Sequence, residues 1–203
     1  MLVKEANGDA NFEAVFFCTN LTKCKSVEII KQYIMSTMCS DIIYPNEYNA
    51  SFKHSLTIGN NSKIVCKSSY SDISHLPQNV KINDIDCFII FYDLENSDSL
   101  SEFNKIIKMI SDVGDPEKKI YIISFYTNEK NIRNNLNEDD IDNYCEKYSL
   151  NNYDISKVNI FSDDELRDKI DAITIESLQG KKIINSDLKD YDTDKSKSGC
   201  LIF

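Results

Sequence analysis

The run Cys87-Phe88-Ile89-Ile90-Phe91-Tyr92 narrows most strongly what this chain can fold into. A strand wetted on one face alternates apolar and polar residues. Six consecutive apolar positions, rich in aromatic and β-branched side chains and stopped by Asp93, read instead as a central strand covered on both faces. Such a strand needs a layer of helices on either side. Four segments have the required 3.6-residue spacing. From Cys24 onward, Val27, Ile30, Tyr33, Ile34 and Met38 share one stripe. Ser99 to Asp112 carries Leu100, Phe103, Ile106, Ile107 and Ile110, and Gly114 and Pro116 close it. Glu138 to Tyr148 points Ile141, Tyr144, Cys145 and Tyr148 inward. A last helix starts at the capping box Ser162-Asp163-Asp164-Glu165 and aligns Leu166, Ile170, Ile173 and Leu178.

Further strands are expected at Phe12 to Cys18, Ile120 to Tyr126 and Tyr153 to Ser156. Ser51 to Ile58 and Lys63 to Lys67 flank Gly59-Asn60-Asn61 and form a hairpin. Ile42 to Ala50, with Pro45 and several Asn, reads as an irregular connection, and Ser68 to Asp84, with Pro77, as a loop with room for a short helix. The order predicts an α/β fold: a mostly parallel six-stranded sheet with one antiparallel edge hairpin and helices on both faces. The 203 residues divide into an extension (1–11), one domain (12–180) and a polar, charged tail (181–203).

Charge excludes some partners. With 23 Lys+Arg against 33 Asp+Glu, the net charge of −10 lacks the cationic footprint of a nucleic-acid binder. No stretch approaches the roughly 18 apolar residues of a membrane span, and Met1 to Asn11 lacks the layout of a secretory signal, so a cytosolic chain is expected. The seven cysteines form no CxxC pair, which argues for reduced thiols without a disulfide framework or zinc site. The formal glycosylation matches at Asn20, Asn49 and Asn60 then carry no meaning.

The sequence ends Cys200-Leu201-Ile202-Phe203, a C-a-a-X box whose final Phe favours geranylgeranylation of Cys200. One lipid anchors reversibly unless a second chain or a basic patch helps. The tail offers neither: Asp187, Asp190, Asp192 and Asp194 face Lys189, Lys195 and Lys197, and Cys200 is its only cysteine. The expectation is a lipid-anchored protein on the cytoplasmic face of the plasma membrane or an endomembrane, helped by an effector or a prenyl-binding chaperone.

The loop after the first strand is where an α/β sheet carries a phosphate-binding loop. Here it reads Thr19-Asn20-Leu21-Thr22-Lys23-Cys24-Lys25-Ser26. Against G-x-x-x-x-G-K-[ST], the Lys-Ser pair matches, while Thr19 and Cys24 stand where glycines free backbone N–H groups to cradle phosphate. With the element order, the C-a-a-X end and the segment Asp86 to Leu100 (DCFIIFYDLENSDSL), the chain resembles the Ras superfamily of small GTPases, nearest the Rab and Ras branches. The resemblance runs from Phe12 to Leu178 plus the terminus. It implies a P-loop-NTPase-like fold, GTP or GDP with magnesium as ligands, and a nucleotide site built from residues 19–26, with Lys25 on phosphate, Ser26 on magnesium, and Asn128, Ser156 and Lys157 around the base.

The family's other motifs depart further. Its Asp-x-x-Gly falls on Tyr70 and Ile73, no catalytic Gln follows, and its magnesium-binding Thr falls near Asn46 or Glu47. Its guanine-reading Asn-Lys-x-Asp becomes Phe125-Tyr126-Thr127-Asn128, and an Asn presents one acceptor where a carboxylate takes two N–H groups. Its Ser-Ala-Lys survives only as Ser156-Lys157. The reading is a pseudo-GTPase without catalytic residues that acts as a binding module in vesicle trafficking or signalling. The alternatives are a divergent GTP-binding switch with slow hydrolysis, and an unrelated α/β domain. His54 and His75 read as a strand-surface and a loop residue, and Asp139-Asp140 and Asp163-Asp164 as first-turn helix acids.

Overall fold

A computed structural model describes residues 8–19, 26–58, 62–72, 82–113, 118–133, 138–150, 152–159 and 162–178. Seven strands and four helices follow among them in the order β1 (Gly8–Cys18), α1 (Ser26–Ser36), β2 (Cys39–Asn46), β3 (Asn49–Ile58), β4 (Ser62–Asp72), β5 (Cys87–Asp93), α2 (Ser99–Val113), β6 (Lys119–Tyr126), α3 (Glu138–Lys147), β7 (Tyr153–Asn159) and α4 (Asp163–Leu178). One sheet holds all seven strands in the order β2-β3-β4-β1-β5-β6-β7. The pairs β4-β1, β1-β5, β5-β6 and β6-β7 are parallel, and β2-β3 and β3-β4 are antiparallel.

The architecture is thus α/β with a mostly parallel sheet and helices on both faces, and it has seven strands where six were expected. The run in β5 behaves as its composition requires. Cys87, Ile89 and Phe91 enter the layer under α1 and α4, with Phe16, Ile30, Tyr33, Ile170 and Ile173. Phe88, Ile90 and Tyr92 enter the opposite layer with Phe103, Ile107, Ile141 and Cys145 of α2 and α3.

The additional strand is β2, in the segment expected to be irregular. All of β2 after Cys39 is exposed, so neither face imposes an apolar alternation that the sequence could display. Its register against β3 slips twice, two residues of β2 facing one of β3 between Ser40 and Ile43 and again between Ile43 and Asn46. Each slip is a bulge holding one extra residue, and Asp41 adopts φ 52° in the first. Bulges and Pro45 suit an edge strand, because both interrupt the outward row of backbone donors.

The other departures are smaller. β4 runs on to Asp72, where a loop was expected from Ser68, while the 3₁₀ turn Ile82–Asp84 falls where the loop had room for a short helix. β1 starts at Gly8 rather than Phe12, and β7 ends at Asn159 rather than Ser156. Met38 lies beyond the end of α1 and is 98% exposed, so it does not join the inward stripe. The capping box of α4 is half formed. Glu165 N donates to Ser162 Oγ at 3.4 Å, but the Glu165 carboxylate accepts from Asn159 N at 2.7 Å.

His54, expected on the surface, is 2% exposed. It alternates with Phe52 and Leu56 on the β3 face beneath α1, and its ring meets those of Phe52 and Tyr33 at 5.3 and 6.0 Å. The bonds around it can be assigned by counting protons. Tyr33 Oη donates its one proton to Asp171 Oδ1 at 2.6 Å. His54 Nδ1, 3.1 Å from the same oxygen, must then donate, which leaves Nε2 to accept from Ser68 Oγ at 2.8 Å. A chain Ser68–His54–Tyr33–Asp171 therefore ties β4, β3, α1 and α4 together inside the core. Burial holds the His54 pKa down at about 4, so the ring is neutral near pH 7.

The carboxyl edge of the sheet as candidate functional site

In open α/β sheets, ligands bind beyond the carboxyl ends of the strands where the chain turns to opposite faces. Here that point lies between β1, followed by α1 on one face, and β5, followed by α2 on the other. Thr19, the first residue of the phosphate-loop candidate, sits there fully buried. Its N–H donates to Phe91 O at 3.0 Å, continuing the β1-β5 ladder. Its hydroxyl accepts from Asp93 N and donates to Ser99 Oγ, both at 3.0 Å, and Ser99 Oγ donates to Asp93 O at 2.7 Å. These bonds close a ring over the gap between the strand ends. The Asn96 amide adds a contact to Thr19 O at 3.5 Å.

Asn20, Leu21, Thr22, Lys23, Cys24 and Lys25 lie outside the described residues, as do Cys200 and His75. Ser26 is the first residue of α1, and its side chain lies outside them too.

The loop after β6 is closed in a similar way. The Glu95 carboxylate, two residues beyond β5, accepts from Thr127 N (2.7 Å), Thr127 Oγ1 (2.7 Å) and Asn128 N (2.8 Å) through Oε1. Asn128 caps the 3₁₀ turn Glu129–Asn131, its side-chain oxygen accepting from Lys130 N at 3.0 Å. Both the backbone and the carboxamide of the base-reading candidate are therefore engaged within the protein. Leu94 N donates to Phe125 O, and Arg133 N to Leu94 O, so the two loops are stitched along their length.

Ser156 and Lys157 do not form a loop beyond β7. They lie inside it, opposite Ile123 and Ser124. Lys157 Nζ stands 5.3 Å from the centre of the Tyr126 ring, two residues before Asn128, and Ser156 Oγ is buried with no hydrogen-bond partner among the described residues. The structure thus brings Lys157 near the β6 loop, whereas Thr19 belongs to the β1-β5 junction.

Of the other positions compared with that family, Ile73 lies outside the described residues, and Tyr70 and Asn46 serve the scaffold. Tyr70 is fully buried in β4 with its ring stacked on Phe52 at 5.7 Å and 5°, and Asn46 ends β2 and binds the turn through Tyr48 N and Asn49 Nδ2. Asp93 ends β5, and Glu95, Asp98 and Glu102 follow it; burial, with Asp98 nearby, raises the Glu102 pKa. Among the described residues no group of three or more His, Cys, Asp or Glu could hold a metal ion.

Sequence reasoning missed Glu95 and Ser99. Their partners lie 32 and 80 residues away, so no local spacing signals them. Replacing Glu95 by Ala removes three acceptor bonds to one carboxylate. Amide exchange at Thr127 and Asn128 should accelerate about tenfold, with a stability loss of about 1 kcal/mol in urea unfolding. Unchanged exchange would mean the carboxylate does not hold the loop. No model of a known protein family matches this chain, and no curated protein matches it.

Proposed function

We propose that the chain is a P-loop-NTPase-like domain of the Ras-superfamily kind that has lost magnesium-dependent GTP binding and hydrolysis and works as a binding module in vesicle trafficking or signalling. The α/β order, the antiparallel strands at one sheet edge and the helices on both faces support the fold half of this reading. The observation that carries the functional half is the carboxyl edge itself. The Thr19 N–H is bonded to Phe91 O and the Asn128 side-chain oxygen accepts from Lys130 N, at the two positions where the resemblance expects a phosphate-cradling N–H and a base-reading acceptor. Phosphoryl transfer depends on positioned donors, a metal and an oriented water, and the chain's motifs depart at each.

The box Cys200-Leu201-Ile202-Phe203 supports a geranylgeranyl anchor on the cytoplasmic face of a membrane, with an effector or a lipid-shielding chaperone as protein partner. Two measurements test the proposal. Chromatography of the denatured, freshly purified chain should release no guanine nucleotide, and one nucleotide per chain would favour a working switch using Lys25 and Ser26. Intact mass after expression in a eukaryotic cell should show an isoprenoid lost in Cys200→Ser.

A further inference from the structure

Five of the seven large apolar side chains exposed among the described residues fall within ten positions: Met35 (76%), Met38 (98%), Ile42, Ile43 and Tyr44. Single exposed apolar residues are ordinary, but a run of five at one corner is not. The corner is formed by the end of α1 and the edge strand β2. Lys31, one turn before Met35, lies over the Tyr44 ring at 5.6 Å, so the exposed stripe of α1 borders the strand. The register Cys39–His54–Cys66–Ala10 sets the start of β2 level with the amino end of β1. α4 runs to the same end of the sheet, since Glu176 pairs with Lys119, the first residue of β6, and Leu178 shares the core layer against which Cys39 packs. Leu178, the last described residue, therefore lies at the end of the fold that carries Met35 and Met38.

We propose that Met35, Met38, Ile42, Ile43 and Tyr44 form a membrane-contacting corner that dips into the interface of an electrically neutral bilayer beside the lipid on Cys200. The inference rests on the lipid-anchored reading and supplies what that reading lacks, a second attachment point, since the tail has no basic cluster. Charge selects the kind of surface. Lys31 is paired with Glu28 at 2.9 Å and Lys53 with Asp41 at 2.7 Å, so the corner is locally neutral in a chain of net charge −10, and anionic headgroups would repel it. A protein that adds a strand to β2 fits less well, because two bulges and Pro45 break the row of donors such a partner would need. A lipid surface needs apolar side chains and no register.

The chain contains no Trp, so Met38→Trp gives a single reporter. In the full-length unlipidated chain, its emission should shift to the blue and be quenched by brominated phosphatidylcholine vesicles, with the response weakening as phosphatidylserine is added. No shift, or a response that grows with phosphatidylserine, overturns the proposal. In the geranylgeranylated chain, Met35→Ser with Met38→Ser should lower partition to phosphatidylcholine vesicles about tenfold or more without changing the melting temperature. Unchanged partition overturns it, and so does concentration-dependent dimerisation that these substitutions abolish, which would assign the corner to a second copy. The two readings fail separately. If Cys200→Ser changes neither mass nor membrane attachment, the anchor is wrong, while the fluorescence of the unlipidated Met38→Trp chain still decides the corner.

Discussion

Tyr33→Phe lowers the free energy of unfolding by about 2–4 kcal/mol, whereas Tyr70→Phe, the same change in a neighbouring element of the same core layer, costs less than about 1 kcal/mol. Both rings are fully buried and both keep their packing in the variants. The hydroxyls differ. That of Tyr33 donates to the Asp171 carboxylate and accepts from His54, so its loss strips a charged group of a donor and leaves His54 Nδ1–H buried without an acceptor. The Tyr70 hydroxyl has no partner in hydrogen-bonding geometry among the described residues: the Thr174 hydroxyl beside it donates to Ile170 O at 2.8 Å, so removing the Tyr70 hydroxyl breaks no well-formed bond. Urea unfolding of the two variants side by side measures the difference. Equal losses would show that the Ser68–His54–Tyr33–Asp171 chain does not act as a unit.

Acidification gives the second large effect. His54 titrates near the ordinary 6.5 in the unfolded chain and at about 4 in the fold, where burial disfavours its charged form. The unfolded state therefore takes up the proton first. The contribution is fully present above about pH 6.5, declines as pH falls toward 4, and amounts to about 3 kcal/mol over that window. Asp171 works in the opposite sense. Burial raises its pKa above 3.8, so the fold holds that proton more readily and regains some stability at the acid end of the window. Phe52, Tyr33 and Ser68 surround the imidazole and offer it no carboxylate directly, so nothing nearby favours the imidazolium. Urea midpoints from pH 7 to pH 4 should fall steeply in the wild type and with a clearly shallower slope in His54→Gln. Parallel slopes would contradict the burial of a neutral His54.

Much of the fold was legible because its signals are local. The apolar run of β5, the stripes of α2 and α4 and the pairing of β3 with β4 each declare themselves within a short stretch of sequence. β2 was illegible for a physical reason: an exposed, twice-bulged edge strand has no buried face to impose a pattern on Ile42, Ile43 and Tyr44. His54 did carry a signal, its alternation with Phe52 and Leu56, which outweighs the usual placement of histidine at surfaces. At the carboxyl edge the limits were stricter. The sequence puts Thr19 and Cys24 where the resembled loop has glycines, but the bonds of Thr19 to Ser99 and of Glu95 to Thr127 join residues 80 and 32 positions apart, which meet only once the sheet has formed. β7 continues to Asn159, three residues beyond the expected end, so Lys157 lies within the strand and not after it.

The central claim is that this edge has been closed by internal bonds and no longer serves a nucleotide. Titration calorimetry of the full-length chain with GTP and with GDP, each with magnesium, tests it most directly. The account predicts no saturable heat for either nucleotide and no phosphate release. A sub-micromolar Kd abolished by Lys25→Ala, together with measurable turnover, would contradict it.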